Sequence, residues 1–370
     1  MRLLDRFLLR ELAVPLAYCL AGFLLFWITF NLVNEINDFQ EKHLLARDIV
    51  AIYWVRMPEL LVTVMPVALL LGLLYTLAHH ARHHEITAMR AAGISLWRIS
   101  APYFAVGFAF SVALFWIGEV WAPDAADRER RIKASRAHDG GDSQLIQNLN
   151  FRNARENRIW NIGAYNPDTF EMTNPHVEWR LKDGSRRILL ARTGLRTNDH
   201  WQFQTVVMLT YPSGRVETNS IPVRTNSIVV PEFTETPADI RVQIKFSRLN
   251  AVEASKSAQL SLREISYIER HMELNQRDAA ILETQWQARL AQPWICLIVP
   301  LIAIPFGAAS GRRNVFVGVA ASIFICFGFF VLQRLALALG TSQRIPAGVA
   351  AWVPNGVFAL TGLWLTQRVK

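Results

Sequence analysis

Charge is scarce in this chain. Only 19% of its 370 residues are charged, against 52% that are hydrophobic. Soluble domains carry about 25% charged residues, so this balance excludes an ordinary soluble protein. Cysteine is scarcer still. Cys19, Cys296 and Cys326 are the only three, and all lie inside apolar runs. The long polar middle of the chain must therefore fold without disulfides, and no cysteine spacing outlines a metal site.

The marks of catalysis are also missing. GAASGRRN has glycines at suggestive spacing but lacks the lysine and hydroxyl residue of a phosphate-cradling loop. HHEIT opens like a zinc-protease helix, yet Ala88, beside Met89, stands where its second histidine is needed. No nucleophile elbow occurs. If ATP drives this protein, a separate subunit must hydrolyse it. In HHARHH, His79 and His83, and His80 and His84, are four apart and on a helix could share a metal. No acidic or cysteine cluster completes such a site, so an ordinary polar helix end accounts for them better.

Long apolar runs are what the sequence has instead. Six stretches, near 12–33, 57–78, 99–118, 291–310, 315–338 and 347–366, approach the roughly 20 residues a membrane-spanning helix needs. The first is long and has no small-residue cleavage site after it, so it reads as a span and not a cleaved signal. The formal charge of +9 could point to nucleic acid, but the placement of the arginines argues otherwise. Arg2, Arg6 and Arg10 precede the first run, Arg82, Arg90 and Arg98 follow the second, and Arg312 and Arg313 follow the fourth. That is the positive-inside pattern, which puts both termini in the cytoplasm. Residues from about 122 to 290 then lie outside.

That outer region alternates short β-rich runs with breakers such as NPD, KDG and PSG. FRNARENRIWNIGAY, SRRILLARTGLRT, HWQFQTVVMLTY, GRVETNSIPVRT and ADIRVQIKFSRL predict an antiparallel sandwich. After Ser255 the period changes, and Leu262, Ile265, Ile268 and Met272 predict a helix leading towards the fourth span. The expected architecture is six transmembrane helices with an all-β domain inserted between the third and fourth. Its parts are 1–121 with a short amphipathic helix near 79–97, the β domain over 122–257, and a helical connector with the last three spans over 258–370.

Ionisable residues at span ends are informative because burying charge in lipid is costly. Arg334 lies about 20 residues beyond GRRN, roughly 30 Å along a helix at 1.5 Å per residue, near the outer headgroup level. It either snorkels to the interface or grips a lipid phosphate bidentately. Phe327 and Phe330 on the same span are packing bulk or an apolar wall for acyl chains.

Taken together, LDRFLLRE, MPELL with MPVALLLGLLYTLA, HHEITAMRAAGIS, GEVWAP, LSLREISYIERH, QWQARLAQPW and WVPN resemble the lipopolysaccharide-export permease family LptF/LptG along the whole chain. LDR, GEVWAP and QPW lean toward the LptG-like member. The resemblance implies a periplasmic β-jellyroll between spans three and four. It implies pairing with a second permease of the family, identical or different, above a dimer of cytoplasmic ABC ATPases that bind ATP and magnesium. It also implies extraction of lipopolysaccharide from the inner membrane and its transfer to a periplasmic bridge protein with a related β domain. No cofactor in this chain and no nucleic acid are implied.

In this family the element between spans two and three is the coupling helix, seated in a groove of the ATPase. Its core corresponds here to Glu85, Ile86, Ala88, Met89, Arg90, Ala91 and Gly93. Small residues permit close approach, Gly93 supplies the stop, and an exposed Glu85 would pair with a basic residue of the groove. Relatives often place lysines near the outer end of span one. This chain has only Lys42 and Arg47 there, which leaves Arg334 as the main phosphate candidate, with Phe327 and Phe330 beside it. A secondary transporter built from three plus three spans and a membrane-anchored envelope assembly protein are the competing expectations.

Overall fold

The computed structural model describes residues 3–41, 43–134, 145–153, 156–167, 169–181, 184–197, 199–212, 221–249, 260–271, 274–308 and 315–368. The chain divides into two units. One comprises Met1–Glu41, Leu45–Ala125 and Gln276–Lys370, and the other is built on Ala126–Asn275.

In the first unit, α1 (Leu3–Glu41) and α2 (Ala46–Arg82) are long apolar helices. A helix that is apolar all round must be surrounded, and α2 is. Its Leu69, Leu73 and Leu77 are buried together with Leu8, Leu12 and Leu16 of α1, each set spaced four residues apart. After a short helix α3 (Glu85–Ala91), α4 (Leu96–Trp116) continues through a π-helical turn at Ile117–Trp121 into α5 (Ala122–Ala134). The later helices are α8 (Gln276–Ala291), α9 (Ile295–Ala308), α10 (Val315–Thr341) and α11 (Ala347–Arg368), with a 3-10 turn at Gln292–Trp294 before α9. Among the described residues, five helices are long and apolar enough to cross a membrane: Leu3–Glu41, Ala46–Arg82, Leu96–Lys133, Gln276–Pro305 and Ala347–Gln367. The sixth predicted span falls on α10, whose described apolar part, Phe327–Thr341, is shorter.

Small residues let these helices touch through their backbones. A Cβ added at Gly107 of α4 would lie 2.5 Å from the Cys296 carbonyl oxygen and 3.3 Å from the Pro300 ring of α9. One added at Gly340 of α10 would lie 2.6 Å from the Ala350 methyl of α11.

The π turn has a readable cause. Its wider register sends the Ala122 N–H to the Ile117 carbonyl. The next donor in that register would be residue 123, a proline with no N–H. The Gly118 carbonyl is served instead by the Arg289 guanidinium of α8, at 2.7 Å. The GEVWAP motif thus marks a π bulge fastened from the side.

The second unit carries six strands: β1 (Ile146–Asn153), β2 (Arg158–Tyr165), β3 (Met172–Arg180), β4 (Arg186–Thr197), β5 (His200–Tyr211) and β6 (Ile221–Val230). They form one antiparallel sheet in sequential order. Among the described residues this is a meander, where the turn spacing predicts a two-sheet sandwich and the family resemblance a jellyroll. Period-two alternation buries Arg158, Trp160 and Ile162 of β2, and Trp201 and Phe203 of β5.

The face so formed is covered by α6 (Pro237–Leu249) through Ile240 and Ile244, with Phe233 beside them. This helix corrects the strand expected at ADIRVQIKFSRL. Thr236 and Asp239 cap each other: the Thr236 N–H donates to Asp239 Oδ2 at 2.8 Å, and the Asp239 N–H to Thr236 Oγ1 at 3.2 Å. Pro237 occupies the first helical position, where its missing N–H costs nothing. The capping box and the four-residue spacing of Ile240 and Ile244 outweigh the two-residue alternation in VQIKF.

The predicted helix after Ser255 is α7 (Leu262–His271), with Ile265 and Ile268 buried. It has its own capping box in Ser261 and Glu264. Strand β3, which the β-rich runs do not predict, contains Pro175. The ladder to β4 skips Asn174 and Pro175, and Asn174 has φ 51°, so the proline is tolerated where pairing lapses.

Candidate functional site

The segment between α2 and α4 concentrates the sequence-predicted residues. The expected single amphipathic helix is divided in three. His79 to Arg82 complete α2, His84 takes the left-handed conformation with φ 59°, and only Glu85–Ala91 form α3. The chain therefore turns sharply at His84, and Glu85 comes back over the end of α2.

Ile86 is buried in the core that α1, α2 and α4 share, and Met89 and Ile94 pack against it. Thr87, Ala88, Arg90, Ala91, Ala92 and Gly93 are exposed. Gly93 ends α3 at φ +83°, a conformation that only glycine adopts without strain. α3 is thus anchored by one apolar edge and offers an outward face of small residues with one arginine.

Glu85 departs from the exposed acid that the sequence predicts. Its Oε2 accepts a hydrogen bond from His80 Nδ1 at 2.5 Å, and its side chain is only 38% exposed. His80 is 1% exposed, its ring 5.8 Å from that of Phe7, and its Nε2 has no hydrogen-bond partner among the described residues. No signal in the sequence isolates His80 from its three neighbouring histidines, because the pairing runs across a helix break. His79 and His83 do stack four residues apart, with ring centroids 4.3 Å apart, but His83 Nδ1 donates to the His79 carbonyl at 3.0 Å.

A second link that sequence spacing could not find closes the other end of the segment. The Ser95 hydroxyl caps α4 by accepting from the Arg98 N–H, and the Arg98 guanidinium grips Asp5 of α1 at 2.7 and 2.9 Å. Asp5 and Arg98 are 93 residues apart.

The substrate-cavity candidates are dispersed. Arg334 is exposed on α10 and shares an outward stripe with Phe327, Val331 and Leu335. Phe330 turns the other way, into an apolar crevice lined by Val67, Leu70, Phe329 and Phe358 among others. Arg47 stands at the start of α2, largely exposed, 3.7 Å from its neighbour Asp48. Lys42 lies outside the described residues. Nearer the start of α2, the Arg56 guanidinium holds Glu35 of α1 at 2.7 and 3.0 Å.

Five long apolar helices among the described residues, with an inserted β unit, are those of a multi-pass membrane protein. The chain belongs to the lipopolysaccharide export system permease family LptF/LptG, which it matches over residues 6–368. That span is nearly the full length, and it covers LptF-like and LptG-like permeases without separating them. A permease is the transport component of an export system and not its catalyst. No curated protein sequence matches the chain.

Proposed function

We propose that the chain is the permease subunit of an ATP-driven exporter, and that α3 is where a cytoplasmic ABC ATPase docks. The observation that supports this most is the division of α3 into two faces. Ile86 and Met89 bind it to the helical core, while Ala88, Ala91 and Gly93 leave a shallow outward surface on which a groove can close. Motion of the ATPase dimer on binding ATP and magnesium then passes through α3 to α2 and α4. The transported molecule is lipopolysaccharide, drawn from the outer leaflet of the inner membrane. Both termini are cytoplasmic and the β domain is periplasmic.

A second permease of the family completes the pathway, and a periplasmic bridge protein with a related β domain receives the lipid on its way to the outer membrane. Arg334 presents a bidentate donor for a lipid phosphate, and its exposure on α10 next to Phe327 supports that role. Co-purification with the ATPase tests the docking reading. Glu85→Ala weakens the association and Glu85→Lys weakens it further. Unchanged association in both would refute it. Loss of lipopolysaccharide crosslinking in Arg334→Ala, with association intact, tests the substrate contact separately.

A further inference from the structure

We propose that His80 is a positioning residue for docking: it holds Glu85 by one carboxylate oxygen and so presents the other to a basic side chain of the ATPase groove. The inference rests on the docking reading and adds to it a residue of α2 that no partner could touch directly. Three observations carry it.

The hydrogen bond from His80 Nδ1 to Glu85 Oε2 joins a side chain 1% exposed to one 38% exposed. Glu85 is thereby held from below while part of it still faces outward. Next, His80 makes this bond and no other polar one among the described residues, its Nε2 being buried and unpartnered. A histidine serving only as packing would leave a desolvated nitrogen with nothing to compensate it, and a leucine would fill the space between Phe7 and α2 at lower cost. Lastly, the left-handed turn at His84 is what returns Glu85 to His80. Backbone and side chain agree on one placement. Arg82, His83 and His84 are all exposed, and none of them pairs with Glu85.

A free glutamate loses side-chain freedom when it is captured by a partner. One already fixed in place has lost that freedom beforehand, so a partner captures it more tightly. His80 needs no charge for this role, only an N–H at the Nδ1 position directed at the carboxylate.

The test is the dissociation constant of the purified ATPase for the full-length chain in nanodiscs, assembled with its partner permease. We expect His80→Leu to weaken binding about tenfold, the scale of one charge-assisted hydrogen bond. His80→Asn, whose amide N–H falls where Nδ1 was, recovers most of the affinity. In a Glu85→Ala background His80→Leu has no further effect, because its influence runs through that carboxylate. Wild-type affinity for His80→Leu alongside weak binding by Glu85→Ala would overturn the proposal and leave the docking reading standing. Equal losses from His80→Leu in both backgrounds would show a packing role and also overturn it. Wild-type affinity for Glu85→Ala would remove the docking reading itself. Should His80→Leu fail to fold, His80→Asn is compared with His80→Gln. Tighter binding by the asparagine variant supports the proposal, and equal binding overturns it.

Discussion

Single residues hold the β unit together where strands alone would not. Glu235 follows β6 and is buried with Arg158, each side chain 3% exposed. Its Oε2 accepts from Arg158 Nη1 at 2.5 Å, and its Oε1 from Trp160 Nε1 at 3.1 Å and Asn153 Nδ2 at 3.0 Å. Its carbonyl accepts from Arg196 Nη1 at 2.6 Å and Trp201 Nε1 at 2.8 Å. Removing one partner of a buried pair strands the other charge. Glu235→Ala therefore destabilises the unit by about 3–5 kcal/mol and Glu235→Gln by less. Urea unfolding of the full chain, followed by tryptophan emission, reads the difference.

Tyr165 shows the same sensitivity to burial in its proton. Desolvation pushes its phenol up to about 12, partly offset by Arg241 and Arg196. The unfolded chain ionises near 10. A folded value above the unfolded one means the fold prefers the proton, so the stabilisation is complete below pH about 10 and is lost as pH rises through about 12. Tyr165→Phe keeps the apolar ring and removes this alkaline loss, which a tyrosinate absorbance titration alongside unfolding would show.

At the scale of elements, close approach governs the helices. Gly107→Ala drives a methyl into the Cys296 carbonyl, a backbone atom that cannot swing aside. The expected cost is about 1–3 kcal/mol, typical of overpacking. Gly22 of α1 is the matched control, since an added methyl there meets nothing within 4 Å. Thermal unfolding in detergent separates the two, with Gly107→Ala lowered and Gly22→Ala not.

Element type was legible wherever one period dominated. β2 and β5 alternate, and Leu8, Leu12 and Leu16 repeat every four residues, so those identities follow from local pattern. α6 departs from the expected strand because VQIKF satisfies both periods over five residues. The decision lay upstream, in the Thr236 and Asp239 cap. β3 is hidden in the sequence because Pro175 argues against a central strand, and only the ladder to β4 shows that pairing lapses at that point.

For the whole molecule, the two ends of the segment between α2 and α4 are tied to different helices: Glu85 to His80 of α2, and Arg98 of α4 to Asp5 of α1. Displacement of α3 would therefore act on three spans together. Reversing the second tie in one partner, as in Asp5→Arg or Arg98→Asp, lowers the unfolding temperature by opposing like charges. Exchanging both recovers part of the loss. A double variant no better than the worse single one would show that the two side chains act independently.

The candidate site is partly legible in the sequence. The small residues of α3, its Gly93 stop and the positions of the arginines can be read from the chain, because composition and local conformational preference depend on near neighbours. The membrane class, the long apolar helices and the inserted β unit follow from hydropathy and period for the same reason. Tertiary structure alone decided the rest. The single sequential sheet, the inward turn of Glu85 onto His80 and the Asp5 to Arg98 grip across 93 residues depend on which surfaces meet. Burial sets the strength of those contacts, and burial belongs to the packed chain and not to any stretch of its sequence.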